Sequence, residues 1–61
     1  MAARFSIRKG STGKFRFVLI AANGQPVATS EAYETKSGAK GGAEACKRAA
    51  AEAEIVDETG D

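Results

Sequence analysis

The sequence predicts an α+β fold in which an antiparallel sheet carries one helix, in the order β-β-β-α-β. Three observations lead there. The run from Lys14 to Ala22 is β-patterned, meets Asn23-Gly24 and turns back. Asn-Gly is the strongest short hairpin signal because it accepts the two positive φ angles of a type I′ turn. From Ala39 onward the small apolar residues change to helical spacing, and Glu54 to Glu58 then reads as a last short strand.

In order along the chain, Arg4 to Lys9 alternates as a first strand, with Phe5 and Ile7 on one face and Arg4, Ser6 and Arg8 on the other. Gly10-Ser11-Thr12-Gly13 makes a turn. In the second strand Phe15, Phe17, Leu19 and Ala21 share a face, opposite Lys14, Arg16, Val18, Ile20 and Ala22. That second face begins basic and becomes apolar, so the alternation predicts a cover over Val18 and Ile20. Pro26 cannot donate to a ladder, which puts the third strand at an edge there or starts it just after. Ala39, Gly42, Ala43, Cys46 and Ala50 then form one face of a helix of about 12–14 residues, capped by Thr35 or Ser37. Glu44 and Arg48 have the favourable i,i+4 orientation on its outer side. The adjacent Gly41 and Gly42 each cost about 1 kcal/mol in a helix interior, so a close backbone approach is expected there. Ala51-Glu52-Ala53 reads as a short connection and Thr59 to Asp61 as a frayed end.

Residues 1–61 form a single domain with few large apolar side chains: apart from Met1 there are eleven, and much of the 43% hydrophobic content is alanine. A chain this small generally needs a disulfide, a metal or a second copy of itself. Cys46 is the only cysteine and histidine is absent, which excludes an internal disulfide and removes the commonest zinc ligand. A homodimer is therefore expected, with Val18, Ile20, Ile55 and Val56 as candidate contacts. No run of apolar residues is long enough to span a bilayer, and the start lacks the apolar core of a signal peptide. The expected setting is cytoplasmic and reducing.

Charge is segregated. Residues 1–30 carry five bases and no acid, and residues 31–61 carry four bases and eight acids. Arg4, Arg8, Lys14 and Arg16 could line one sheet face and bind nucleic acid or another polyanion. The competing expectation is that these basic strands lie beside the acidic last strand of the same or another subunit. Phe5, Phe15 and Phe17 point into the core, leaving no stacking aromatics among the bases.

Taken in order, Phe15-Arg16-Phe17 with Ala21-Ala22-Asn23-Gly24, Ala28-Thr29-Ser30-Glu31 with Tyr33, and Ala53-Glu54-Ile55-Val56-Asp57 resemble the YegP-like family of small uncharacterised bacterial proteins. The resemblance covers nearly the whole chain and implies a β-β-β-α-β unit. By the same resemblance some members carry the unit twice, and others form homodimers joined in one sheet with exchanged C-terminal strands, the arrangement implied for this chain. Gly41-Gly42 and Ala49-Ala50-Ala51 depart from the family pattern. No activity comes with the resemblance.

Chemistry is sparse in the residues themselves. Without histidine there is no Ser-His-Asp or Cys-His site, and Cys46 on the inner helix face reads as a small core residue. Glu52, Glu54, Asp57 and Glu58 read as solvated or ion-paired carboxylates. Gly38-Ala39-Lys40-Gly41-Gly42 lacks the spacing of a nucleotide-binding loop, although Lys36, Ser37 and Lys40 at the helix start could hold an isolated anion. The expectation is a homodimeric structural or interaction module, not an enzyme, with no cofactor and no metal. A weak polyanion binder is the alternative.

Overall fold

Alternating runs separated by glycine turns fold as hairpins, and the computed structural model, which describes residues 2–60, contains two of them in succession. Strands β1 (Arg4–Lys9), β2 (Phe15–Ile20) and β3 (Pro26–Thr29) precede helix α1 (Lys36–Glu52). β2 is central and pairs antiparallel with both neighbours. Its register with β1 sets Arg4 opposite Ile20, Ile7 opposite Phe17 and Arg8 opposite Arg16.

Both turns differ from the type I′ geometry expected at Asn23-Gly24. The Gly24 N–H donates to the Ala21 carbonyl at 2.9 Å, and the Ala21 N–H donates to Gln25 at 2.8 Å. Gly24 has φ +88°, and among the described residues no non-glycine residue has a positive φ. Ala22 and Asn23 thus sit at negative φ, and the turn is type I followed by a left-handed glycine, the three-residue hairpin loop. Gly10 to Lys14 repeats it, with Gly13 at φ +85°. One added residue lets glycine alone carry the positive φ. Asn23 instead accepts the Gln25 N–H through Oδ1 at 3.0 Å.

β3 is an edge strand that starts at Pro26. Ile20 faces Pro26 and Leu19 faces Ala28, so Val27 is an extra residue in the ladder and lies exposed. Beyond Thr29 the chain stays beside β2 through Ser30, whose N–H donates to the Phe17 carbonyl at 2.9 Å. The return bond is made by a side chain: Phe17 N–H donates to Ser30 Oγ at 2.9 Å, and that hydroxyl donates to the Glu31 carbonyl at 2.8 Å. After Glu31 and Ala32, Tyr33 pairs with Phe15 through backbone bonds of 2.8 and 2.6 Å. The hydroxyl thus bridges an interruption in the ladder. Ser30→Ala is expected to cost about 1–3 kcal/mol in urea denaturation, because the part-buried Phe17 N–H loses its acceptor.

The sheet face bearing Phe5, Ile7, Phe15, Phe17 and Leu19 receives the helix. Phe5 meets Phe17 edge-on at 5.7 Å, and Tyr33 stacks on Phe17 at 6.3 Å. Thr35 caps α1 by accepting the Gly38 N–H at 2.9 Å, settling the choice between Thr35 and Ser37. Ala39 and Ala43 are buried, with Gly42 and Cys46 half-buried.

Gly42 is where the helix comes closest. A Cβ there would lie 2.7 Å from Tyr33 Cζ and 3.3 Å from Phe17 Cε2. Gly41 faces open space and has no such reason.

Two expectations at the C-terminal side are corrected. The helix is 17 residues long and runs through Ala51 and Glu52, which had read as a connection, because alanine is the best helix former and needs no packing partner to continue. At about 25 Å it outreaches strands of about 20 Å, so Ala50, expected on the inner face, is exposed. Glu54 to Glu58 forms no strand in the chain. Thr59, expected to fray, donates from N (2.9 Å) and Oγ1 (2.6 Å) to Asp57 Oδ1; Asp61 lies outside the described residues.

Candidate functional site

Strand register places the predicted basic residues. Arg4, Arg8 and Arg16 share the sheet face opposite the helix, and Arg8 stands directly across from Arg16. Both are exposed. Like charges in opposed positions disfavour the pair. Arg8 Nε donates to Ser6 Oγ at 3.2 Å. Lys14 forms an ion pair with Glu34, a residue of the loop before the helix. The acidic last segment, the expected partner of the basic strands, lies exposed, and among the described residues it forms no ion pair with them.

The four candidate subunit contacts divide. Val18 and Ile20 are only 6% and 3% exposed in the single chain. Ile55 is fully exposed and Val56 is 65% exposed. These two residues lie beyond Ala53, whose backbone leaves the helix at φ −75°, ψ 137°.

A second basic feature combines sheet and helix. A cleft of about 460 Å³ is lined by Ile7, Arg8, Lys9, Phe15, Lys36 and Lys40. Lys9 and Phe15 are cross-strand partners, with Lys9 Nζ 5.7 Å from the Phe15 ring centre. Lys36 and Lys40 are one helical turn apart and face the same side. Sequence reading found the two helical lysines but missed Lys9 and Phe15. The register between β1 and β2 was the signal that could have joined them.

Other titratable groups have local explanations. The Thr59 hydroxyl, then its backbone N–H, holds the Asp57 carboxyl below the usual carboxylate range. Cys46 is half-buried on the inner helix face. Among the described residues no group of His, Cys, Asp and Glu is arranged to hold a metal ion. No described helix is long and apolar enough to cross a membrane.

Residues 11–57 match the domain of unknown function DUF1508. A UPF0339 protein of Treponema denticola is 44% identical over 57 residues, covering 93% of this chain and 98% of that protein. A UPF0339 protein of Pseudomonas aeruginosa is 42% identical over 90% of this chain, and UPF0339 protein YegP of Escherichia coli is 48% identical over 69% of it. The matched region spans 50% and 38% of those two longer relatives, respectively. The solution structure of a protein from Haloferax volcanii shares the fold with a TM-score of 0.80 and 33% identity, over 92% of this chain and 95% of that one.

Proposed function

For this chain, which belongs to the DUF1508 family of unknown function, we propose a homodimeric structural or interaction module in which each copy lends its Glu54–Glu58 segment to the other's sheet. One observation carries the reading: Ile55 and Val56 are large apolar residues left exposed on a segment that forms neither helix nor strand in its own chain. β1 and β3 each leave an edge open, which is the template that an added strand requires. Charge favours the β1 edge, since Arg4, Arg8 and Lys9 would meet Glu54, Asp57 and Glu58. The thin core supplies the need, because among the described residues no large side chain is fully buried. The length of the Pseudomonas relative, twice the matched region, leaves room for a second unit in one chain. With no histidine in the sequence, the usual base for a serine or cysteine nucleophile is missing. Light scattering across a dilution series is expected to give a dimer. A folded monomer at low micromolar concentration would remove the proposal.

A second reading rests on the Arg8–Arg16 juxtaposition: with Arg4, this face would bind a polyanion weakly. Titration of labelled RNA and DNA at two salt concentrations tests it. No binding at about 50 mM salt, where counterion release favours association most, would end it.

A further inference from the structure

We propose that the cleft between the β1–β2 end and the first turns of α1 binds a small phosphate ester bearing a planar or apolar group, a ligand of nucleotide size. The site is separate from the arginine face, and it combines two chemistries. Lys9, Lys36 and Lys40 are three of its lining residues, and among the described residues that line it none is acidic. Glu34, the nearest acid in sequence before the helix, is engaged with Lys14. Alternation puts the Arg8 guanidinium on the other face, where it bonds Ser6, so the three lysines are the charges the cleft offers. Three cations sharing one concavity repel one another, and a dianionic phosphate relieves that repulsion while accepting from several ammonium groups. Helix polarity acts in the same direction, since the cleft lies at the N-terminal end of a 17-residue helix.

Ile7 and Phe15 supply the apolar part of the lining. Both are only partly exposed, and a sheet surface of this kind offers a planar group a face to lie against. The roughly 460 Å³ volume falls within the range of about 300–1,000 Å³ typical of small-ligand sites. Inorganic phosphate alone would leave the apolar wall unused. An uncharged planar molecule would leave the lysines unneutralised. A phosphate ester uses both.

The experiment is a titration of the 61-residue protein, followed by amide and methyl NMR shifts, with three probes: adenosine monophosphate, adenosine and inorganic phosphate. Adenosine monophosphate is expected to move the signals of Ile7, Lys9, Phe15, Lys36 and Lys40 together. Adenosine and inorganic phosphate should each bind about tenfold more weakly or worse. Lys36→Gln combined with Lys40→Gln should weaken binding of the monophosphate by about tenfold or more. Those two side chains are exposed, so circular dichroism should be unchanged. Lys9→Gln, on the sheet side, provides an independent check with the same expected direction. The proposal is overturned if about 5 mM adenosine monophosphate moves none of these signals, a concentration at which a site with a Kd of about 1 mM would be roughly four-fifths occupied. It is equally overturned if the shifts map to Arg4 and Arg16 instead, if inorganic phosphate binds as well as the ester, or if the lysine variants bind undiminished.

Discussion

Gly42→Val is expected to destabilise the fold by about 3 kcal/mol, enough to unfold much of a domain with so small a margin. Gly42→Ala should lose about 1–2 kcal/mol net, even though alanine is the better helix former by about 1 kcal/mol. The reason is the Tyr33 ring, whose Cζ would lie 2.7 Å from the new Cβ, with Phe17 Cε2 at 3.3 Å behind it. Tyr33 cannot easily retreat. Its backbone is fixed by two hydrogen bonds to Phe15, and its ring is stacked on Phe17. Gly41→Ala, one residue away, meets nothing within 4 Å and should stabilise by about 0.5–1 kcal/mol. Urea denaturation at one fixed protein concentration measures all three changes. Tyr33→Ala adds a cycle: with the ring gone, Gly42→Ala should no longer be costly. A stabilising Gly42→Ala in the parent protein would refute the close approach.

Ile55→Asp combined with Val56→Asp is expected to weaken self-association by at least a hundredfold. Each apolar side chain is worth about 1.5–3 kcal/mol when fully buried, and about 2.7 kcal/mol corresponds to that factor. The substitutions place charge where an exchanged strand would be covered. They leave the chain's own core alone, because neither residue is buried in it. Helical circular dichroism should therefore persist at concentrations where the monomer remains folded. Sedimentation equilibrium gives the association constant directly, and an unchanged constant would rule out the exchanged segment as the interface. Replacing Glu54, Asp57 and Glu58 by lysine separates the charge contribution. That variant should associate less tightly at low salt, with the difference shrinking as screening shortens electrostatic reach to about 8 Å.

Legibility differed among the elements for identifiable reasons. β1 and β2 were readable because alternation over six residues is a strictly local signal, and their two faces follow from the period of two. At Asn23-Gly24 the presence of a hairpin was legible, while its turn type depended on one extra residue in the loop. The helix start at Thr35 was similarly near at hand. Its end was not, because a run of alanines carries neither a stop nor a face, and packing had nothing to decide there. The basic residues illustrate the same boundary. Arg8 and Arg16 could be assigned to a common face, but only the register set them opposite one another, and Lys14 was drawn aside by Glu34.

Local order in this protein is a property of its sequence: three strands, a capped helix and the segregation of bases from acids all arise from neighbours within a few residues. Tertiary structure decided what those neighbours could not encode alone. It assigned Gly42, and not Gly41, to the contact with Tyr33, because that choice depends on how the helix is rotated over the sheet. It joined Lys9 and Phe15 to Lys36 and Lys40 in one cleft, since residues 21 to 31 apart in the chain meet only through packing. It also left Ile55 and Val56 outside the fold. A strand is completed by hydrogen bonds to another strand, and the chain that would complete this one is not determined by its own local pattern.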